Sequence, residues 1–555
     1  MCSASDKTAV ESSDFINVAG QLTRMARENP DVPAIVWRSR AGTYTRVTFV
    51  ELNAEVDRYA HGLSAAGVVR GTRTIVMVRP KYEFFVLTFA LLKIGAVPAL
   101  IDPGMGRRNV VACLSAIQAE AFIGIPLAQV LRVLNRRAFR SVRTVVTVGR
   151  RWCWGGLRME DVRSASAEPF EAVRSQADDP AAILFTSGST GPAKGVLYRH
   201  GMFAAQVRIL REHFGVQPGE VDLPTFPLFA LFDPALGMTA VLPEMDPTRP
   251  ASVDPEKIVA AIRDQGVTHT FGSPALLNRV GRYVADNGVK LPTLRRVISA
   301  GAPVPPIVLE RFAKALDGDA RIYTPYGATE ALPVASIDHR EILGETAAQS
   351  ARGAGTCVGR PVLEMDVRII RISDDPIVEW FNDLEMPAGE IGEIVVKGPV
   401  VTREYYAAPR ATELAKIRDG DSVWHRMGDV GRFDGQGRLW FCGRKAHRVE
   451  TEFGTSFSVP CEAIFNQHPR VFRSALVGVG KRPRQRPVMC IELESGEEHP
   501  DQNTLCEELS ERARSNPLTQ HIKTILIHPS FPVDIRHNAK IFREKLAVWA
   551  TEQIR

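Results

Sequence analysis

The sequence predicts an α/β protein, with a large N-terminal domain of layered sheets and flanking helices, a β-rich subdomain, and a small α+β C-terminal domain. Three features carry that reading. Short β-branched runs, ThrIleValMetVal at 74–78, AlaIleLeuPheThr at 182–186 and ArgValIleSerAla at 296–300, read as buried parallel strands, because a strand covered on both faces needs no polar alternation. Amphipathic stretches of helical spacing lie between them, the pattern of helices packed on both faces of a parallel sheet. From about Val367 the texture changes to glycine-punctuated strand signals.

The first residues, MCSASDKTAVESSDF, lack a basic segment followed by an apolar one, so no signal peptide is expected. The most apolar stretch, Phe84 to Ile101, is interrupted by Lys93, Gly95 and Pro98 and reads as a buried helix followed by a strand rather than a membrane span. ArgValLeuAsnArgArgAlaPheArgSerValArg at 132–143 reads as the solvated face of a helix whose Leu131, Leu134 and Ala138 point inward; without interleaved aromatic residues, nucleic-acid binding is not expected. Pro255–Gln265 predicts a helix with Ile258, Ala261 and Ile262 on one face and Gly266 as its stop. GluIleValValLysGly at 393–398 and GlyArgLeuTrpPheCysGly at 437–443 supply the β-rich part, and after Arg444 two helix-like and two or three strand-like segments make a small domain. The predicted division is 1–444 and 445–555.

Composition narrows the class. The chain has 555 residues, 45% apolar and 24% charged, which is globular and neither disordered nor fibrous. A net charge of +6 over this length is too weak to predict nucleic-acid binding and suits anionic substrates. Eight dispersed cysteines without a CxxC pair predict no zinc site and no disulfide framework, hence a reducing, cytoplasmic setting.

Four clusters carry chemistry. PheThrSerGlySerThrGlyProAlaLysGly at 185–195 follows a predicted strand; its small residues let backbone N–H groups and the hydroxyls of Ser187, Ser189 and Thr190 converge on phosphate oxygens, with Lys194 for charge. It lacks Walker A spacing. TyrThrProTyrGlyAlaThrGluAla at 323–331 offers the Tyr326 ring for a base, the Thr329 hydroxyl and the Glu330 carboxylate for Mg²⁺. Asp429, in TrpHisArgMetGlyAspValGlyArgPheAsp at 424–434, and Arg444, fifteen residues on across a hairpin, can bracket a ribose diol. HisAsnAlaLysIlePheArg at 537–543 carries Lys540.

In this order these clusters, with LeuLysIleGlyAlaValProAla at 92–99 and SerAlaGlyAlaPro at 299–303, resemble the adenylate-forming superfamily of acyl-CoA synthetases, luciferases and peptide-synthetase adenylation domains over essentially the whole chain. The resemblance implies ATP and Mg²⁺ as cofactors. It implies that Thr186, Ser187, Gly188, Ser189, Thr190, Gly191 and Lys194 hold the ATP phosphates. Gly301, Ala302, Pro303 and Tyr326 would frame adenine, Thr329 touch the α-phosphate, Glu330 bind magnesium, and Asp429 and Arg444 hold the ribose. Lys540, on a mobile C-terminal domain, would reach the carboxylate and α-phosphate as acyl-AMP forms.

Departures narrow the branch. ProLeuPhe at 227–229 is followed by Ala230 where ligases often carry histidine. The loop that lines the thiol entrance in ligases reads ValGluThrGluPheGlyThrSerPheSerValProCysGlu at 449–462, with Glu450 in place of lysine, an acid ill suited to an anionic thiol donor; Ala446, His447 and Ala539 are further departures. Segments 223–237, 245–250 and 533–545 resemble the β-lactone synthetases of olefin biosynthesis. That family adenylates a long-chain 2-alkyl-3-hydroxy acid, whose own hydroxyl then displaces AMP, so a tethered nucleophile replaces a second substrate. The resemblance implies a multienzyme assembly with other olefin-biosynthesis enzymes, and the chain is compatible with a homo-oligomer. Two other readings stay open: a long-chain fatty acyl-CoA or acyl-AMP ligase, and a non-catalytic nucleotide-binding scaffold, which would have no use for Lys540. Phe226, Phe229, Leu231, Phe232 and Met238 are candidate acyl-pocket lining. His200 and His269 are the histidines at hand to take the hydroxyl proton, although a satisfied structural role is the plainer reading of each.

Overall fold

The computed structural model describes residues 16–39, 41–101, 106–186, 193–226, 228–494, 502–533 and 540–554. Two seven-stranded sheets form its larger part. In the first, strands run in the order Leu157–Arg158, Thr144–Thr147, Ala121–Gly124, Arg73–Met77, Val97–Leu100, Pro180–Phe185 and Gly195–Arg199, all parallel except the last pair. In the second the order is Arg321–Tyr323, Arg296–Ile298, His269–Phe271, Val221–Pro224, Thr239–Leu242, Pro33–Arg38 and Tyr44–Thr48, again parallel but for the last pair. Ile35 of the second sheet and Val76 and Ile123 of the first share one core with helices Phe49–Ala65 and Tyr82–Ile94, so those helices are buried by both sheets.

Helix Tyr82–Ile94 is therefore apolar all round, as a helix without a solvent face must be. Lys93 does not break it. The side chain is buried, its Nζ donating to Asp57 Oδ1 at 2.5 Å and Asn53 Oδ1 at 2.8 Å; the partners come from the neighbouring helix and replace the water the ammonium has lost. Gly95, at φ +73°, ends the helix in the left-handed conformation. Pro255–Gln265 is helical over the predicted span, with Ile258, Ala261 and Ile262 buried and Gly266 left-handed.

The basic segment departs from its predicted form. Helix Pro126–Leu134 ends where that segment starts to be dense, a 3₁₀ turn follows over Arg136–Phe139, and Leu134 is 66% exposed rather than inward. Leu131 and Ala138 do pack against the core.

The β-rich part is a mainly antiparallel eight-stranded sheet running Tyr326–Ala328, Ala331–Ser336, Thr356–Pro361, Leu439–Arg444, Ser422–Phe433, Gly392–Lys397 and Asp366–Ile370, with Lys416–Asp419 paired beside Ser422–Phe433. Beyond Arg444 lie the hairpin Val449–Thr451/Gly454–Ser456 and a three-stranded sheet of Val471–Val479, Arg486–Leu493 and Thr524–Ile527, flanked by helices. Two apolar clusters here draw only on residues from Val449 onward. At the junction Gly443 has φ +131° and its Cα faces the Ser458 side chain so closely that a Cβ would collide with it.

Candidate active site

Parallel strands place their carboxyl ends, and the loops that follow, along one side of a sheet, where open α/β proteins bind ligands. Here the ends of strands from both sheets converge with the edge of the eight-stranded sheet on a cavity of about 2420 Å³. Every described residue of the candidate set lines it: Thr186, Lys194, Gly301, Ala302, Pro303, Tyr326, Thr329, Glu330, Asp429, Arg444 and Lys540. Ser187, Gly188, Ser189, Thr190 and Gly191 lie outside the described residues. The base of their loop is a hairpin, since strands Pro180–Phe185 and Gly195–Arg199 are antiparallel and Thr186 and Lys194 exchange bonds of 3.1 Å across it.

Asp429 and Arg444 face each other as cross-strand partners, and Arg444 Nη1 donates to Asp429 Oδ1 at 2.6 Å. Tyr326 Oη donates to the other oxygen at 2.6 Å, so one carboxylate fixes both a ring and a guanidinium. The Asp429 charge raises the Arg444 pKa further, while burial and the same carboxylate hold the Tyr326 phenol protonated. Both donors leave lone pairs on Asp429 for a diol.

Glu330 is held from a direction that its motif does not reveal. Tyr405 Oη donates to Glu330 Oε1 at 2.6 Å, and the Lys194 ammonium sits 4.8 Å from the centre of the same ring. The segment carrying Tyr405 is pinned beside the loop base by an isolated bridge to Val196 and by Tyr406 N–H donating to Gly195 O at 2.7 Å. The Glu330 carbonyl accepts from Thr402 N–H at 2.9 Å and from its hydroxyl at 3.1 Å, and buried Lys416 donates to Thr402 O and, at 3.1 Å, to Thr402 Oγ1. Burial pushes the Lys416 pKa down to about 7. Tyr198 Oη donates to Thr329 O at 2.6 Å. Tyr198, Tyr405, Thr402 and Lys416 belong to none of the four clusters; only their contacts reveal them.

Lys540 enters the cavity wall from the C-terminal part with Ile541, Phe542 and Arg543. Arg543 anchors this segment, donating through Nη2 to both oxygens of buried Glu462 at 2.7 Å. The other end of the cavity is apolar: Phe226, Phe229, Leu231 and Phe232 line it, and the Phe229 ring lies 4.3 Å from that of Phe271. Ala230 lines it too, whereas Met238 is wholly buried in a separate cluster with Val207, Phe214 and Ile298 and is core. Glu450, the acid expected at the thiol entrance, does not line the cavity; it accepts from Arg448 Nε at 2.7 Å.

Neither candidate histidine reaches the cavity. His200 accepts Val18 N–H at 3.3 Å, and burial pushes its pKa down to about 4. His269 pairs with Asp222 at 2.6 Å within the sheet. His425 does line the cavity; its Nδ1 donates to Ala415 O at 3.2 Å, and burial keeps it neutral.

A family model described as AMP-binding enzyme matches residues 22–406. The chain belongs to the AMP-binding enzyme family. It is 51% identical to the olefin beta-lactone synthetase of Xanthomonas campestris over 97% of this chain and 98% of the relative, and to that of Stenotrophomonas maltophilia over the same shares. It is 27% identical to the long-chain-fatty-acid–CoA ligase FadD13 of Mycobacterium tuberculosis over 83% of this chain and 86% of the relative. The fold of this AMP-binding enzyme is that of the amide bond synthetase McbA from Marinactinospora thermotolerans, at TM-score 0.76 and 24% identity, with 96% of this chain and 100% of that one covered.

Proposed function

We propose that this enzyme uses ATP to activate a long-chain 2-alkyl-3-hydroxy acid and closes it to a β-lactone. The near-full-length identity to olefin beta-lactone synthetases carries the reading, and a cavity that joins a polar cluster to an apolar end supports it. In the first step a carboxylate oxygen attacks the α-phosphorus and pyrophosphate leaves. In the second the 3-hydroxyl oxygen attacks the acyl carbonyl, AMP leaves and the hydroxyl proton is lost. Tethering of that hydroxyl removes the need for a thiol acceptor.

In this reading Lys194 and Thr186 belong to the phosphate end, with Ser187, Gly188, Ser189, Thr190 and Gly191 between them. Gly301, Ala302, Pro303 and Tyr326 frame the base, and Asp429 with Arg444 holds the ribose. Thr329 and Lys540 meet the α-phosphate, where charge gathers in the transition state. The donor set at Glu330 is a single carboxylate with one oxygen accepting from Tyr405, and among the described residues no cluster of three His, Cys, Asp or Glu side chains could hold a metal. That fits Mg²⁺, which keeps few protein ligands and shares phosphate oxygens; when bound it would neutralise phosphate charge.

We further infer a boundary at 444/445 and a C-terminal domain that moves as a unit, supported by its separate apolar clusters and by the turn Lys445–His447 at the junction. No helix among the described residues is long and apolar enough to cross a membrane; we infer a cytoplasmic enzyme that works beside others of olefin biosynthesis and can self-associate.

Product analysis with ATP, Mg²⁺ and a synthetic 2-alkyl-3-hydroxy acid tests the reaction. A β-lactone formed without CoA, with AMP and pyrophosphate in step, is the expected result. An acyl-CoA formed only when CoA is present would move the enzyme to the ligases.

A further inference from the structure

Between Pro126 and Arg158 the chain has eight arginines and no lysine, aspartate or glutamate. The whole chain is only +6, so everything outside this segment is net negative. Arg136, Arg137, Arg140, Arg143, Arg150 and Arg151 are exposed, and the segment's one ion pair among the described residues is Arg158 with Asp161. Such a concentration of unpaired guanidinium groups repels itself unless an anionic partner meets it.

The same segment carries exposed apolar groups. Helix Pro126–Leu134 buries Ala128 and Gln129, and Gln129 Nε2 donates to Val146 O at 2.9 Å, which sets the helix against the first sheet. Leu127, Leu131 and Leu134 are four and three residues apart and share a stripe. Leu127 is 76% and Leu134 66% exposed, yet both line the cavity. Side chains that face solvent and line a cavity stand at its mouth. Trp152, also more than half exposed, lies 5.1 Å from Trp154, whose carbonyl accepts from Arg132 and so ties the loop to the helix.

We propose that residues 126–158 dock the enzyme on an anionic phospholipid surface, with the leucine-lined mouth against the lipid so that an aliphatic guest enters without crossing water. Exposed apolar side chains within one arginine-rich segment suit a layer with hydrocarbon below and negative headgroups above. Nucleic acid would meet the charge but has no use for leucines at a cavity mouth. The inference rests on the proposed function only in taking the guest to be aliphatic.

Co-sedimentation of the full chain with vesicles, free of nucleotide, tests it. The protein is expected to pellet with phosphatidylcholine vesicles containing phosphatidylglycerol, less so as salt rises, and to stay in solution with phosphatidylcholine alone. Arg136→Glu/Arg137→Glu/Arg140→Glu should lower that partition by about tenfold or more, with pyrophosphate release from a short soluble acid unchanged. Leu127→Gln/Leu134→Gln should weaken binding while leaving its salt dependence. Wild-type protein that ignores both vesicles, binds both equally, or binds as well after the triple charge reversal would overturn the lipid assignment and leave the patch to an acidic protein. Because the vesicle assay itself reads no turnover, failure to bind lipid leaves the lactone reading standing, and failure to form lactone leaves lipid binding standing.

Discussion

The two ends of the cavity are made in opposite ways. At the polar end each group is specified by a partner: Asp429 by Tyr326 and Arg444, Glu330 by Tyr405, and the Lys194 ammonium by the face of that same tyrosine. At the apolar end the side chains meet through ring contacts: Phe229 packs against Phe226 and Phe271, and Phe232 against Phe203. Hydrogen bonds fix position to tenths of an ångström, whereas ring contacts tolerate sliding and replacement. The comparison teaches that one cavity can hold its polar groups rigid while leaving its apolar wall adjustable, and, on the proposed roles of nucleotide and acyl ends, substitutions at the two should differ accordingly.

The largest effect is expected where charge develops in the transition state. Lys540→Ala should lower pyrophosphate release by about 10²–10³-fold while ATP binding stays measurable by calorimetry. Unchanged release would take Lys540 out of the reaction and leave the polar end without a contribution from the C-terminal part.

Next come Glu330 and the tyrosine that holds it. Glu330→Gln should raise the Mg²⁺ concentration needed for half-maximal turnover, by about tenfold or more for loss of a charged ligand. Tyr405→Phe keeps the ring under Lys194 but removes the hydroxyl, and should move the Mg²⁺ midpoint the same way by a smaller amount, on the order of several-fold for one hydrogen bond. Since both act at one carboxylate, the double variant should be no worse than Glu330→Gln alone. Additive shifts would show Tyr405 acting elsewhere. At the opposite end, Phe229→Ala should raise KM for the acid by about tenfold, as expected for lost burial of part of an aromatic ring, with KM for ATP unmoved. An equal change in both constants would mean that the ends are not independent.

This contrast also sets what could be read from the sequence. The gathering of the motifs at the polar end was legible because a tight glycine- and hydroxyl-rich turn and a cross-strand acid–arginine pair demand particular residues at particular spacings. Helix Pro255–Gln265 was legible from periodicity, and strands such as Arg73–Met77 from short β-branched runs. The apolar end was legible in part: Phe226, Phe229, Leu231 and Phe232 line the cavity as expected, but Met238, as large, apolar and near a turn in the sequence as Phe229, lies in the core. Lys93 reads as an interruption until Asp57, 36 residues earlier, is seen to neutralise it. Tyr405 and Lys416 were invisible because their partner, Glu330, lies 75 and 86 residues away, respectively, and the latter link runs through Thr402. Nor does any strand's pattern say which of the two seven-stranded sheets it joins, because a strand buried on both faces is apolar in either.

The smallest effect sharpens the comparison through pH. Lys416 is 6% exposed, and its two acceptors, Thr402 O and Oγ1, match the two N–H groups of a neutral amine. Burial lowers its pKa from 10.5 to about 7, so between those values the unfolded chain binds a proton that the folded one does not. Stability from this group therefore rises with pH through that window, by up to about 1.4 kcal/mol per pH unit, and falls away as pH drops towards 7. Lys416→Met, similar in volume and uncharged, should remove that slope. Thermal melting of both proteins from pH 7 to 8.5, below the range where buried cysteines and tyrosines titrate, should show the wild type gaining on the variant as pH rises. Parallel curves would mean that Lys416 keeps its charge, and that the polar end holds a buried cation behind Glu330 rather than a neutral donor.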